Sequence, residues 1–373
     1  MEQYDVLVVG GGVAGSVAAR FSAKRGLRTL LIEKSKTPRN KPCSGIQFTY
    51  LEKLIGEKIP RDKLCKNELL NVQMITQEDR VLRSRMGMLN FWRSTFDSWL
   101  NSLAADAGAD FHDETRLVDF QEEGQDITAR VSDKTGEKVV KSRYLIVADG
   151  LFSRVRRKLR PEDFEKKAHG ATINYYFVGE TSLDPNTLYM FYKREFAPLM
   201  FAWVYLKDDQ WVIGTGADRE SVKYAEGFFS YVKENYLIRG EVVRKEGFAS
   251  PFKGGIYLGQ GNLLMAGDAA GLVDLYRGLG MDNAALSGRL AVKAILESER
   301  SGAPAIGSYE RLMRRVTRKT ERNAAKQAAR FATNETLEGS FSLLNLLRGG
   351  LLMKLGAQIN KVLPAERTIT LPL

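Results

Sequence analysis

The chain has 373 residues, 44% of them hydrophobic and 10% aromatic, as in a globular protein that can bury a large core and hold two lobes. Its two cysteines, Cys43 and Cys65, exclude a disulfide framework and a cysteine-rich metal site, and they favour a reducing, cytoplasmic location. The net charge of +11 favours anionic surroundings such as phospholipid headgroups, a phosphorylated substrate or nucleic acid.

The first predicted elements are a strand, a glycine-rich turn and a helix, the arrangement typical of dinucleotide binding. An apolar strand at 6–9 is followed by Gly10, Gly12 and Gly15. Gly10 permits a tight turn, Gly12 lets backbone N–H groups approach a pyrophosphate, and Gly15 lets the helix pack closely on the strand. A second strand ends at Glu33, whose carboxylate suits the hydroxyls of an adenosine ribose and disfavours a 2′-phosphate. The stretch therefore predicts a dinucleotide site that fits NADP poorly.

A basic, irregular segment follows, and Pro42-Cys43-Ser44-Gly45 within it predicts a fixed loop near the rest of the cofactor. Residues 91–107 predict an amphipathic helix with Arg93 at its start. The Arg93 side chain either reaches the cofactor or is a solvated surface charge. Alternating segments at 117–120, 127–131 and 139–140 predict a small antiparallel meander.

Two further strands end in acidic residues that are expected beside the cofactor. The buried run at 144–147 ends in Asp149-Gly150, and the run at 263–265 ends in Gly267-Asp268. Ligands of open α/β sheets bind at the carboxyl ends of the strands. A carboxylate at Asp268 suits the ribityl hydroxyls of a flavin, which a nicotinamide dinucleotide lacks. The turn at 278–283 then begins a helix over 284–299, whose free N–H groups can stabilise a reduced flavin, or it is only a capped glycine hinge.

The composition between these strands predicts an inserted second lobe. Aromatic and β-branched residues dominate from about 168 to 251, with strands expected at 175–178, 188–192, 199–206 and 211–214. Their aromatic face either lines an apolar substrate cavity or fills a core. The predicted domains are a discontinuous dinucleotide-binding domain, a β-sheet substrate domain and a C-terminal helical region. Their limits are 1–75, 90–165 and 255–300 for the first, 76–89 and 166–254 for the second, and 301–373 for the third.

Three separated motifs resemble the FAD-binding flavoproteins of the p-hydroxybenzoate hydroxylase superfamily. They are Gly10–Gly15 with Glu33, Asp149-Gly150 with Ser153, and the run at 267–271. The chain further resembles the geranylgeranyl reductase branch, through the segments 41–45, 93–100, 201–206 and 278–280. This resemblance implies an α/β fold with a Rossmann-like FAD-binding domain, an inserted antiparallel β-sheet substrate domain and a C-terminal helical segment.

The predicted cofactor contacts combine the turn glycines, the strand-end acids and positions implied by the resemblance. They are Gly10, Gly12, Ala14, Gly15, Glu33, Lys34, Cys43, Ser44, Arg93, Leu117, Asp149, Asp268, Gly278, Gly280 and Met281. The predicted substrate contacts are Phe201, Trp203 and Tyr205, and no metal site is expected. The branch usually carries Tyr-x-Trp-x-Phe-Pro here, whereas this chain has Phe201, Tyr205 and Leu206 in place of the Tyr, Phe and Pro. Residues 274–277 also depart from the branch, so the departures bear on the substrate more than on the cofactor.

The resemblance implies that a reduced flavin transfers hydride to a carbon–carbon double bond of a prenyl chain. An isolated alkene also needs a proton, and Cys43 is the predicted donor, the alternative being an inert packed thiol. His112 and His169 lie in no matched motif and receive no role. Because no second G-x-G-x-x-G occurs after a strand, the electron donor is expected to be external, either NAD(P)H or a reductant protein.

Two other functions are compatible with the same fold. One is a flavin monooxygenase or halogenase, although Phe201, Tyr205 and Leu206 break the usual halogenase pattern Trp-x-Trp-x-Ile-Pro. The other is a non-catalytic prenyl-binding carrier like the GDP-dissociation inhibitors. Glu33, Asp268 and the turn at 278–280 argue against the carrier, because the resemblance assigns all three to a flavin site.

The C-terminal region indicates contact with a membrane surface. Eight Lys or Arg residues lie between 311 and 330 against one acid, and an apolar segment follows to residue 355. The alternative is a solvated helix followed by a helix that closes the substrate cavity. Without a run of about 18 apolar residues or a leader before the first strand, we expect no membrane span and no signal peptide. The prediction is a cytoplasmic protein with or without peripheral membrane contact through 311–355, and no nucleic-acid partner.

Overall fold

The computed structural model of the protein describes residues 2–165, 171–217, 220–249 and 255–371. Within these ranges sixteen strands form: β1 (Glu2–Val9), β2 (Thr29–Ile32), β3 (Ile46–Gln47), β4 (Leu69–Ile75), β5 (Val81–Asn90), β6 (Asp110–His112), β7 (Arg116–Glu123), β8 (Asp126–Asp133), β9 (Gly136–Val147), β10 (Ala171–Glu180), β11 (Thr187–Phe191), β12 (Ala202–Lys207), β13 (Gln210–Ala217), β14 (Arg239–Ala249), β15 (Gly259–Gln260) and β16 (Leu263–Met265).

The same ranges hold nine α-helices and several short 3₁₀ turns. The helices are α1 (Val13–Ala23), α2 (Leu51–Ile55), α3 (Arg93–Asp106), α4 (Arg154–Leu159), α5 (Ser221–Asn235), α6 (Met281–Ser301), α7 (Ala305–Arg330), α8 (Asn334–Gly339) and α9 (Leu343–Val362). No helix in the described part of the chain is both long enough and apolar enough to cross a membrane.

The first sheet has the strand order β15-β16-β9-β1-β2-β6, with β7 and β8 joined to the edge of β9. β1 pairs in parallel with β2 and with β9, and β9 pairs in parallel with β16. The apolar run at 6–9 is buried throughout, as expected for a parallel strand covered on both faces. Parallel pairing brings the carboxyl ends of β1, β2, β9 and β16 to one edge, where the predicted acidic residues follow.

β9 corrects one detail of the sequence prediction. The third meander strand at 139–140 and the buried strand at 144–147 are a single twelve-residue strand. Its first half pairs with β8 and its second half with β1 and β16. The polar residues at 141–143 interrupt the apolar pattern because the strand crosses from the exposed meander into the core. The predicted antiparallel meander itself is confirmed.

The second sheet has the order β14-β10-β13-β12-β11-β4-β5-β3. The four predicted strands of this lobe are present as β10 to β13, with ends moved by a few residues. Residues 69–75, predicted in the first lobe, instead form β4, which pairs in parallel with β11. Leu69, Val72 and Ile75 of β4 pack into the apolar clusters of this sheet, a placement that no local pattern reveals. The predicted ends of the lobe, at 166–170 and 250–254, lie outside the described residues.

Helices cover both sheets. The predicted helix over 91–107 is α3, and the helix predicted over 284–299 is α6, which begins three residues earlier. α1 and α6 cross at close range, because a Cβ on Gly288 would lie 2.4 Å from the carbonyl oxygen of Ala14. This approach draws the N-termini of both helices toward the strand ends of the first sheet.

Candidate functional site

The glycine turn after β1 has the tight geometry that the sequence predicts. Gly10 has a φ of +107°, and a Cβ there would lie 2.3 Å from the carbonyl oxygen of Ala148. A Cβ on Gly15 would lie 1.9 Å from the carbonyl oxygen of Gly10. Gly12 occupies the N-cap of α1 without a capping side chain, so the first N–H groups of the helix point to an anion site.

Glu33 lies at the end of β2 beside this turn and is almost fully buried. Its Oε2 accepts a hydrogen bond from the N–H of Gly11 at 2.9 Å, and its Oε1 accepts one from the N–H of Ser35 at 3.0 Å. The Nε of Arg39 lies 3.2 Å from Oε2. Lys34, the next predicted contact, is exposed. The carboxylate is therefore fixed next to the turn, at the place predicted for an adenosine ribose.

A chain of alternating charges connects Glu33 to Arg93. Arg39 Nη2 lies 3.2 Å from Oδ2 of Asp97, and Arg93 holds the same carboxylate through two hydrogen bonds of 2.8 Å. Burial lowers the pKa of Arg93, but the charge of Asp97 outweighs burial, and the pKa stays above its usual value. The interpretation of Arg93 as a solvated charge is wrong, since its side chain is buried. Sequence analysis missed Arg39 and Asp97, and the i,i+4 spacing of Arg93 and Asp97 was the available signal.

A cavity of about 270 Å³ lies between the strand ends of the first sheet and the face of the second sheet. Twelve of the predicted site residues line it: Gly12, Ala14, Cys43, Ser44, Arg93, Phe201, Trp203, Tyr205, Asp268, Gly278, Gly280 and Met281. The other six do not: Gly10, Gly15, Glu33, Lys34, Leu117 and Asp149. Leu117 is a buried core residue at the start of β7. The cavity thus joins motifs that are widely separated in the sequence.

The acidic residues that follow β9 and β16 have different environments. Asp149 Oδ2 accepts the N–H of Arg154 at 3.0 Å, whereas its buried Oδ1 has no hydrogen-bond partner among the described residues. Burial raises the pKa of Asp149 to about 6. Burial also acts to raise the pKa of Asp268, but Lys41, with its Nζ 2.9 Å from Oδ2, lowers it below its usual value. Asp268 is therefore an ionised carboxylate in the cavity wall.

The N-terminus of α6 closes one end of the cavity. Its N-cap, Gly280, offers no side chain, and a Cβ added there would meet no atom closer than 3.7 Å. No side chain caps the helix at Gly280, although Oδ1 of Asp282 in the first turn accepts the N–H of Asn283 at 2.9 Å. Asp282 also pairs with buried Arg277, which holds the turn before the helix. Gly278 has a φ of +63° and lies against the ring of Phe201.

Cys43 lies in the predicted loop, half-buried in the cavity wall. The guanidinium of Arg93 interacts with its thiol. Ser44 and Gly45 continue the loop, and the ammonium of Lys207 donates to the carbonyl oxygen of Ser44 at 2.7 Å. Burial lowers the pKa of Lys207 to about 8. Sequence analysis missed Lys207, although a lysine that ends an aromatic strand was a visible signal.

The second sheet supplies the aromatic wall. Phe201 precedes β12, and Trp203 and Tyr205 follow at alternate positions, so all three point to one face of the sheet. Nε1 of Trp203 donates to Oδ1 of Asn174 at 2.8 Å. The same three residues also pack in an apolar cluster. The aromatic face therefore both lines a cavity and fills part of the core, as the two alternative predictions stated.

The two histidines take no part in this site as far as the structure describes it. His112 is exposed at the end of β6, and His169 lies outside the described residues. Within the described ranges, no group of three His, Cys, Asp or Glu side chains could hold a metal ion.

The sequence is similar to known proteins over most of its length. A family model for the FAD binding domain matches residues 3–223. Geranylgeranyl diphosphate reductase of Rhodobacter capsulatus is 28% identical over 318 residues, covering 81% of this chain and 78% of the relative. Digeranylgeranylglycerophospholipid reductase 2 of Methanothermobacter thermautotrophicus is 31% identical over 340 residues, covering 86% of each chain.

Solved structures of other proteins share the fold of this chain. A geranylgeranyl bacteriochlorophyll reductase-like protein from Thermoplasma acidophilum has a TM-score of 0.82 and 25% identity, covering 92% of both chains. The flavin-dependent halogenase CmlS has a TM-score of 0.72 at 20% identity, covering 89% of this chain and 66% of the halogenase. The halogenase shares the fold alone.

Proposed function

Because the chain belongs to the family of FAD-binding proteins that includes the geranylgeranyl reductases, we propose that it reduces carbon–carbon double bonds of a prenyl chain. The protein is an FAD-dependent oxidoreductase. One observation carries the proposal: Cys43, Arg93 and Asp268 share a single cavity with the apolar wall of the second sheet. The names of the relatives supply the substrate class, a prenyl or similar hydrophobic chain.

The residues present fit FAD. The turn after β1 leaves no room for Cβ atoms at Gly10 and Gly15, which keeps the turn tight and α1 close to the strand. Gly12 at the N-cap leaves the first N–H groups of α1 open to a pyrophosphate. The ionised carboxylate of Asp268 in the cavity wall offers an acceptor for hydroxyl groups of the cofactor. The open N-terminus of α6 at Gly280 offers partial positive charge to the flavin end.

When bound and reduced, FAD supplies a hydride to one carbon of the double bond. The other carbon needs a proton, and we assign that proton to the thiol of Cys43. The S–H bond breaks, a C–H bond forms, and the thiolate takes a proton back from water. Arg93 lies against the thiol and remains charged, so it stabilises the thiolate that forms. The aromatic wall at Trp203 holds the apolar chain and excludes water.

The remaining parts of the proposal concern partners. We propose that electrons come from an external donor, either NAD(P)H or a reductant protein, that visits the cavity transiently. We also propose peripheral contact with a membrane surface through residues 311–355, because a prenyl lipid partitions into bilayers. The net charge of +11 supports contact with anionic headgroups.

An anaerobic half-reaction tests the chemistry. The purified flavoprotein is reduced with dithionite, mixed with geranylgeranyl diphosphate or a geranylgeranylated lipid, and followed by flavin absorbance and product mass. Reoxidation of the flavin with a gain of two hydrogen atoms per double bond supports the proposal. A flavin that stays reduced with every prenyl substrate, but inserts oxygen into a substrate in air, replaces it with the monooxygenase function. A protein purified without flavin, and unable to bind it, would indicate the carrier.

A further inference from the structure

α9 exposes an unusually apolar surface. Eight of its twenty residues are large hydrophobic side chains that are at least 42% exposed: Leu343, Leu344, Leu347, Leu351, Leu352, Leu355, Ile359 and Val362. Only Gly356 and Asn360 of this helix are buried. Monomeric soluble proteins rarely expose so many neighbouring apolar side chains to water. A surface of this kind is typical of a site that binds a membrane or another molecule.

The narrow inner edge of α9 rests on the wall of the candidate site. Leu346 packs against the second-sheet cluster, and Met353 packs against a small cluster that contains Phe48 and Leu279. Leu279 also lines the cavity. Gly356 allows the close approach of Leu371, since a Cβ there would lie 2.5 Å from the leucine methyl carbon. The helix is therefore attached beside the cavity with its wide face turned outward.

The charges on α9 select the class of partner. The helix carries Arg348, Lys354 and Lys361 and no acidic residue, in a chain with a net charge of +11. Apolar side chains interleaved with cations suit the interface of an anionic bilayer, where headgroup phosphates meet acyl chains. A protein partner would need acidic groups matched to these three cations, whereas an anionic bilayer presents negative charge over its whole surface.

The preceding basic helix is less available than its sequence suggests. Arg315 of α7 donates to the carbonyl oxygen of Thr368 at 3.2 Å, and Lys319 bonds to Thr370. The guanidinium of Arg330 stacks over the ring of Tyr192 and donates to Ser340. Three of the eight predicted membrane-facing cations thus hold the C-terminal segment and the second lobe together.

We propose that the outer face of α9 is the membrane-docking element and that it inserts into the interface of an anionic phospholipid bilayer. This proposal rests on the proposed function in one respect, that the substrate chain resides in the bilayer. Docking through α9 places the Leu279 side of the cavity at the membrane surface. A prenyl chain then reaches the cavity without passing its apolar length through water.

Vesicle binding by the full-length flavoprotein tests the proposal. The triple variant Leu347→Gln, Leu351→Gln, Leu355→Gln removes apolar surface from α9 and keeps good helix formers. The matched control, Val139→Gln, Val222→Gln, Leu237→Gln, removes exposed apolar side chains elsewhere. Flavin content and melting temperature show that both variants fold. The probes are vesicles of phosphatidylcholine with and without phosphatidylglycerol.

We expect the wild type and the control to sediment with phosphatidylglycerol vesicles, and the α9 variant to lose at least about tenfold in partitioning. Equal binding by the α9 variant and the control overturns the proposal. The proposal is also overturned if light scattering without lipid shows that the wild type and the control are dimers and the α9 variant is a monomer. The face would then join two copies of this chain.

The docking proposal and the catalytic proposal can fail independently of each other. The α9 variant should reduce detergent-dispersed geranylgeranyl substrate at the wild-type rate and lose activity only toward the same lipid in vesicles. Equal loss with both forms of substrate contradicts a docking role. Absence of reduction by every protein, together with normal vesicle binding, would reject the prenyl reductase function and leave the docking surface intact.

Discussion

The ammonium nitrogen of Lys207 lies 2.7 Å from the carbonyl oxygen of Ser44, the residue next to Cys43. The same nitrogen donates to the carbonyl oxygen of Phe91 at 2.5 Å and to Oδ1 of Asn90 at 3.2 Å. The side chain is 1% exposed and forms no salt bridge with any residue that the structure describes. Lys207 therefore joins the second sheet to the loop of Cys43 and to the segment just before α3.

Replacing Lys207 with methionine should destabilise the protein by about 3 kcal/mol, because buried carbonyl oxygens lose their donor. We also expect weaker FAD binding, since the loop that carries Ser44 is no longer held. Urea unfolding and flavin titration measure the two effects. Lys233→Met, at an exposed position on α5, should change neither quantity. Equal stability of the two variants would show that the Ser44 contact is incidental.

The contribution of Lys207 should also depend on pH. Burial lowers its pKa to about 8, whereas an unfolded lysine titrates near about 10.4. Between these values the unfolded chain binds more protons than the folded one, so stability rises with pH. The free energy of unfolding of the wild type, minus that of Lys207→Met, should therefore increase from about pH 8 to about pH 10. A flat difference across this window would contradict the low pKa.

The two cysteines should behave differently. Cys43→Ser should lower reduction of a prenyl substrate by about a hundredfold, because a positioned proton donor contributes about that much or more. FAD affinity should change little. Cys65→Ala is the control, since that thiol is buried away from the cavity and burial raises its pKa to about 11. Single-turnover rates and thiol labelling check both variants, and unchanged turnover in Cys43→Ser would remove the thiol from the reaction.

Local patterns predicted the parts of the site that depend on local geometry. The run at 6–9, the spacing of Gly10 and Gly15, and the acid that ends β2 are short-range features with one physical meaning each. Lys207 and Ser44 are 163 residues apart, and the pairing of β4 with β11 is similarly distant. Contacts of this kind are set by how the two sheets meet, which no window of sequence contains.

The crossing of α1 and α6 gives a fourth prediction. A Cβ on Gly288 would lie 2.4 Å from the carbonyl oxygen of Ala14, and backbone cannot move aside cheaply. Gly288→Ala should therefore lower the melting temperature and weaken FAD binding, because both helix N-termini shift. Gly307→Ala on α7 is matched, since its Cβ would meet nothing within 4 Å, and alanine is the better helix former by about 1 kcal/mol. Calorimetry should show a lower melting temperature for Gly288→Ala and a higher one for Gly307→Ala. If both variants are destabilised, the close approach at Gly288 does not explain the loss.

The last prediction concerns Asp97, which lies between Arg39 and Arg93. Asp97→Asn leaves two arginines facing each other without their shared carboxylate, and breaking a buried pair in this way costs about 3 to 5 kcal/mol. The exposed pair of Arg130 and Glu137 is the control, and Glu137→Gln should have little effect because solvent screens it.

A double-mutant cycle separates this loss from ordinary packing. Replacing Arg39 with methionine in the Asp97→Asn background should restore part of the stability, because one unpaired charge is gone. The same double variant should bind FAD more weakly than the wild type, because Glu33 then lacks the guanidinium that lies 3.2 Å from its Oε2. Additive losses of stability would mean that the charges of this network act independently. Coupling between Arg39 and Asp97 would instead show that the charged network from Glu33 to Arg93 acts cooperatively.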